Sequence, residues 1–244
     1  MSVGVRFLGT GNAFADGGRS HACIHLTAPG ASLLLDCGGS SLPAIKRAID
    51  PAAIDAIAIS HLHGDHFGGI PYLVMEQHFA KRGHPLVVGG PRELEERTDH
   101  AERALYPDFF GTIPVGFEVR YVTLGAESTV LGGAEVTALP VRHIPESDPH
   151  GFRVRIGGRL IAYSGDATWS DDLVALAKGA DLFICESTHF AESDVAHVSY
   201  RELLTHRAEL ECDRIILTHL GAEMIAHLDE VELEYATDGM TTEV

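Results

Sequence analysis

Cysteine is scarce, with four residues in a chain of 244, and none of them forms a CxxC pair. Cys23, Cys37, Cys185 and Cys212 each lie in or beside an apolar segment, which predicts buried reduced thiols and argues against a disulfide framework. Reduced thiols point in turn to a cytoplasmic protein. No apolar run approaches the length of about eighteen residues that a membrane span needs, and no charged-then-apolar leader opens the chain, so neither membrane insertion nor secretion is expected. Basic residues are few: 18 Lys and Arg against 35 Asp and Glu give a formal net charge of -17. That field repels polyanions, and without a basic run a nucleic-acid ligand lacks a docking patch, so a small-molecule substrate fits better. No low-complexity linker divides the sequence, and 1–244 reads as one unit with a sizeable core.

Short β-type runs come first: "VGVRFLG", "ACIHLT" and "SLLLDCGG" predict an antiparallel start to a sheet. "SSLPAIKRAI" reads as a helix capped by Ser40 or Ser41 with Pro43 in its first turn, and "AIAIS" as a strand stopping at His61. Helical spacing runs from Ile70 to Lys81 with Gly83 as its stop; "PLVVGG" and a charged amphipathic stretch, 91–105, follow. Beyond Phe117 come strands "FEVRYVTL", "AEVTALPV", "FRVRI" and "RLIAYSG", the last two joined by a Gly157-Gly158 hairpin turn. Helix 171–178, strand "LFICES", helix 199–210 and strand "RIILTH" then alternate as in α/β layers. "AIAISH" and "IILTHL" echo one another, one in each half, so two sheets could deliver their strand ends to a single cleft.

The most informative stretch is "AISHLHGDHFGG", where His61, His63, Asp65 and His66 fall within six positions directly after an apolar strand. Such groups repel when protonated and lose solvation when buried unpaired, and a shared cation resolves both. Gly64 would permit a backbone path that turns His61 and His63 to one ion and Asp65 and His66 to another. Mixed nitrogen and carboxylate donors suit zinc best, with manganese or iron as alternatives. Strand exits further along supply the missing ligands: His143 after "TALPVR", Asp166 after "LIAYSG" and His219 after "RIILT". Asp166 can give one oxygen to each ion.

With these residues the chain resembles the metallo-β-lactamase superfamily and, within it, the ribonuclease Z-like branch. HxHxDH is His61 to His66, and the resemblance extends through "FLGTGNAF", "LLLDCG", "PLVVGGPREL" and "CESTHFAESDVAHVSYREL". It implies an α/β protein with an αββα four-layer sandwich and a dinuclear site at one edge. It also implies that one metal takes His61, His63, His143 and Asp166, and the other Asp65, His66, Asp166 and His219. Asp65, His197 and Glu186 are the candidate catalytic residues. A metal-bridging hydroxide would attack, His197 would protonate the leaving alkoxide, and Glu186 would fix its tautomer, unless His197 only caps helix 199–210. Asp36 is expected to bond backbone or brace a ligand rather than bind metal. Trp169 is as consistent with packing as with lining the cleft, the Gly-Thr-Gly at 9–11 reads as a tight turn, and His21, His25, His78, His84, His100, His150, His189, His206 and His227 are left as structural.

Two departures narrow the function. Enzymes of this branch that mature tRNA usually carry a long basic arm before the strand leading to the bridging aspartate, whereas here "GFRVRIGGRLIAYSGD" passes through a two-glycine hairpin; "HVS" also replaces the usual "HST". The resemblance without the arm, together with the acidic balance, argues for a phosphodiesterase acting on a small phosphodiester or cyclic phosphate and against tRNA as a partner; no membrane is expected, and a homodimer is allowed. The alternatives are a lactone or thioester hydrolase on the same metals, which has no need of the Glu186 and His197 pair, and a non-enzymatic metal-binding module. His63 argues against a di-iron oxidoreductase, in which a carboxylate would stand there.

Overall fold

The computed structural model describes residues 2–244. A first sheet contains β1 (Gly4–Gly9), β2 (Cys23–Ala28), β3 (Ala31–Leu35), β4 (Ala56–Ala58), β5 (Leu86–Gly90) and β6 (Val119–Thr123). A second contains β7 (Thr129–Leu131), β8 (Ala134–Pro140), β9 (His150–Ile156), β10 (Arg159–Tyr163), β11 (Leu182–Glu186), β12 (Ile215–Thr218) and β13 (Glu234–Tyr235). The chain ends by returning to the first sheet, where β14 (Thr241–Glu243) pairs with β1. Each sheet begins antiparallel and switches to parallel pairing, at β3·β4 in the first and β10·β11 in the second. The expected antiparallel start is present, and so is the Gly157-Gly158 turn, with both glycines at positive φ and no arm between β9 and β10.

The central parallel strands β4, β11 and β12 are buried on both faces, which is why they read as unbroken apolar runs. In β4, Ala56 and Ala58 face the core between the sheets, while Ile57 packs outward under helices. Phe7, Leu33, Phe152, Ile161, Ile184 and Ile216 fill that inner core. Helices α1 (Ser41–Ala48), α2 (Gly64–Phe67), α3 (Ile70–Phe79), α4 (Leu94–Leu105) and α5 (Pro107–Phe110) belong to the first half, and Ala44, Ile45, Leu73, Val74 and Leu94 cover the outer face of its sheet. Helices α6 (Asp171–Ala177), α7 (Tyr200–Thr205) and α8 (Ala222–Ala226) cover the other through Leu173, Leu176, Leu203 and Met224. The layers are therefore helix, sheet, sheet, helix, as expected. Cys23, Cys37 and Cys185 are buried, Cys212 is half-buried, and all four are free thiols.

Some local expectations are corrected. Helix α3 ends before Gly83, and Lys81 takes the left-handed conformation in its place. The helix expected over 199–210 is shorter, Tyr200–Thr205, followed by a 3-10 turn over Arg207–Glu209. Strands β7, β13 and β14 and helices α5 and α8 are too short to leave a periodic signal in sequence. No helix among the described residues is long and apolar enough to cross a membrane.

Candidate metal centre and cleft

The loop after β4 closes into the single turn α2, in which the amides of His66 and Phe67 both donate to the His63 carbonyl. Gly64 is not what makes this possible: it has no positive φ, and a Cβ there would meet nothing within 4 Å. The space is made by Gly38, where a Cβ would lie 1.9 Å from the Asp65 carbonyl oxygen, and by Gly165 at φ 59, where one would lie 2.7 Å from the His150 carbonyl oxygen. Gly165 precedes Asp166. Asp36 and His219, at the ends of β3 and β12, both hold φ 58, a conformation that non-glycine residues adopt only when the surrounding structure fixes it.

All seven expected ligands converge. One donor atom each from His61, His63, His143 and Asp166 lies within 4.8 Å of the others, and the same holds for Asp65, His66, Asp166 and His219. His61 Nε2 and His143 Nε2 stand 3.1 and 3.2 Å from His63 Nδ1. Asp166 Oδ1 is 3.3 Å from His66 Nε2 and 3.4 Å from His219 Nε2, while its Oδ2 faces His61 Nε2 at 3.7 Å. Asp65 Oδ2 is 3.3 Å from the same two Nε2 atoms of the second set. Asp166 thus faces one oxygen to each cluster.

The outer hydrogen bonds fix which ring nitrogens point inward. His66 Nδ1 donates to Asp36 Oδ2 at 2.8 Å, and His143 Nδ1 donates to the Ala196 carbonyl at 2.7 Å. Ser60 gives its hydroxyl proton to Asp36 and so accepts from His61 Nδ1 at 3.0 Å. Thr188 gives its own to Glu186 and accepts from His219 Nδ1 at 2.9 Å. With Nδ1 protonated in each case, all four rings aim Nε2 lone pairs at the centre. The expectation that Asp36 braces rather than ligates agrees with this geometry; it also accepts from Ser60 N and from the Tyr163 hydroxyl, each at 2.7 Å.

Buried atoms without partners show whether cations fit. His66 Nε2 and Asp166 Oδ1 are buried and have no hydrogen bond. Orphans of this kind are costly unless an ion completes them. Burial holds the His61 imidazole well below its ordinary pKa, so it is a neutral donor. Burial also opposes charge on His66, but Asp166, Asp65 and Asp36 outweigh it and raise its pKa well above the usual value. The pull that would put a proton on that ring is the pull that a divalent cation satisfies. The donor set fits a dinuclear metal site.

Beside the clusters, His197 Nδ1 lies 2.9 Å from Glu186 Oε1. Burial works against charging His197, yet Glu186, Asp166 and Asp194 raise its pKa to about 9. Glu186 is fully buried and held by Ala167 N, Thr188 N and Thr188 Oγ1. Its oxygens are occupied, so the grouping of Glu186, His197 and His219 is not read as a third metal site. His197 is no helix cap, because Ser199 Oγ accepts from Glu202 N and fills that role. His197, with His63, Asp65, His143, Asp166 and His219 of the clusters, opens onto a cleft of about 520 Å³ that also includes Asn12, Phe14, Asp16, Ile144, Asp194 and Glu223. His189, read as structural, lines this cleft and bonds Asp194 at 3.0 Å; Trp169 is outside it, stacked on His206. Ser60, Tyr163 and Thr188 were missed because single hydroxyls at strand ends carry no sequence signal.

The two sheets, their helices and these clusters define the metal-dependent hydrolases of the metallo-β-lactamase fold, in the ribonuclease Z-like branch. YhfI of Bacillus subtilis, a metallo-β-lactamase fold protein, superposes with a TM-score of 0.79 at 20% identity, covering 100% of both chains. The chain is 30% identical to Ribonuclease Z of Methanothermobacter thermautotrophicus over 264 residues, covering 89% of this chain and 86% of that one. It is also 30% identical to the anti-Pycsar protein Apyc1 of Paenibacillus harenae over 204 residues, covering 82% and 83%. The family model described as anti-Pycsar protein Apyc1 matches residues 3–235, and the chain belongs to that family.

Proposed function

We propose that this protein hydrolyses a small phosphodiester, such as a cyclic phosphate or cyclic nucleotide. His61, His63, His143 and Asp166 would hold one divalent ion and Asp65, His66, Asp166 and His219 the other, with zinc best matched to these donors. What such ions supply when bound is a nucleophile from water near neutral pH and charge neutralisation at phosphoryl oxygens.

The observation that carries the reading is the His197–Glu186 pair. An alkoxide is a poor leaving group and needs a proton as the P–O bond breaks. Glu186 binds Nδ1–H, which turns Nε2 away to carry the proton that the departing oxygen takes. A thioester releases a thiolate and has no use for this pair, and a lactone expels its alkoxide from a tetrahedral intermediate with the push of the oxyanion, so it depends on the pair less. Size and charge support the same reading, since no Lys or Arg lines the cleft to hold the further phosphates of a polyanion beyond the two clusters.

Assays on metal-quantified protein with a cyclic phosphodiester, a lactone, a thioester and a precursor tRNA test the proposal. Turnover of the phosphodiester well above the rest is expected. Preferred hydrolysis of the lactone or thioester, or efficient trimming of the tRNA at physiological salt, would overturn it.

A further inference from the structure

Phe14 stands on the rim of the cleft, 83% exposed, and belongs to none of the apolar clusters of the fold. The turn that carries it is nevertheless tightly tied. Buried Asn12 accepts through Oδ1 from Phe14 N at 3.2 Å and Asp16 N at 3.3 Å, and it donates through Nδ2 to Asp16 Oδ2 at 2.9 Å. The same Asp16 oxygen accepts from Ala222 N at 3.0 Å, which anchors the turn to α8, just beyond His219. Ala15 follows at φ 55, a left-handed conformation that the surrounding bonds must impose. Fixed backbone thus presents an aromatic face that the protein itself leaves unused. An exposed, preorganised ring at the mouth of a cleft is what a flat ligand would stack against.

The chemistry of the neighbours selects the ligand. Asp16, Asp194 and Glu223 stand on the same cleft, and no Lys or Arg balances them. A second phosphate beyond the metal clusters would be repelled, whereas an uncharged planar ring would not. We infer that Phe14 stacks on a nucleobase carried by the substrate, so that the cleft is a two-part site with clusters for the phosphodiester and Phe14 for the base. The inference rests on the phosphodiesterase reading above.

The test compares wild type, Phe14→Ala and Phe14→Trp, each with metal quantified. The substrates are a nucleoside 3′,5′-cyclic phosphate and the same cyclic phosphate on a ribose bearing a methoxy group in place of the base. Phe14→Ala should raise KM for the nucleotide by roughly 5- to 150-fold, the worth of one base–aromatic stack. Its penalty on the base-free compound should be at least about fivefold smaller, and Phe14→Trp should restore the nucleotide KM. The melting temperature should not move, because the ring is exposed. Equal penalties on both substrates, or none, would overturn the stack while leaving the phosphodiesterase reading intact. A change in oligomeric mass in Phe14→Ala would also overturn it, by assigning the ring to contact with a second copy. Wild-type protein that hydrolyses neither cyclic phosphate would remove the phosphodiesterase reading and the stack together.

Discussion

Each half of the molecule places one fully buried carboxylate behind its metal-facing histidines, Asp36 in the first and Glu186 in the second. Each passes through a hydroxyl to an imidazole, Asp36 through Ser60 to His61 and Glu186 through Thr188 to His219. Beyond this likeness they diverge. Asp36 spends its remaining contacts on His66, Ser60 N and Tyr163, all buried, so it only orients. Glu186 also holds His197, which opens onto the cleft. The same bracing device serves structure in one half and, through one added histidine, would serve the proposed proton transfer in the other. The donors differ as well: the first half takes four from one loop, and the second takes His143, Asp166 and His219 from separate strand exits.

The harshest way to break the comparison is to remove the group that joins the two halves. Asp166→Ala deletes a donor from both clusters, so metal content by elemental analysis should fall at both sites together. Activity should drop by more than the roughly 10²- to 10⁴-fold worth of a general acid. Retention of one full metal equivalent would show that the clusters are independent and that Asp166 does not bridge.

His197 is where the halves part, and His197→Ala should keep both metals while losing roughly 10²- to 10⁴-fold in turnover of a phosphodiester with an alkoxide leaving group. With a nitrophenolate leaving group, which departs without a proton, the loss should shrink sharply. Glu186→Gln should show the same dependence more weakly. Wild-type rates on both substrates would assign His197 to packing, and equal losses on both would assign it to positioning of the substrate.

This division also decides what could be read without a structure. His61, His63, Asp65 and His66 were legible because one short loop carries them within six positions, and spacing survives in sequence. His143, Asp166 and His219 meet only through the run of pairings from β8 through β9, β10 and β11 to β12, which aligns strand ends far apart in the chain; they were candidates as strand exits, and their division between two ions needed the family resemblance. The β-type runs and most helices were legible from apolar patterning, whereas the four-layer sandwich was legible only through the family resemblance. Gly64 misled because a glycine inside a motif looks like the hinge, whereas Gly38 and Gly165 make the room through contacts that only tertiary structure defines. Tyr163 left no signal, since an aromatic at the end of an apolar strand reads as core.

Tyr163 gives the mildest and most local test of the orienting half. Its hydroxyl crosses from the second sheet to the first and donates to Asp36 at 2.7 Å, with both residues buried. Burial first, and then the charges of Asp36 and Asp166, raise its pKa well above the ordinary phenol value, so it stays a donor. Tyr163→Phe leaves Asp36 its bonds from Ser60 and His66 but removes one hydrogen bond to a buried carboxylate, a loss of about 1.5–3 kcal/mol of stability in urea unfolding. His66 is then held less firmly, and affinity for the second metal, read by chelator competition, should fall by about tenfold, the low end for a group that braces a ligand. The leaving-group dependence that marks His197 should be untouched, because Tyr163 contacts Asp36 and not Glu186. If the variant instead matches wild type in both unfolding and metal affinity, Asp36 is braced well enough by its own half, and the link between the sheets does no orienting.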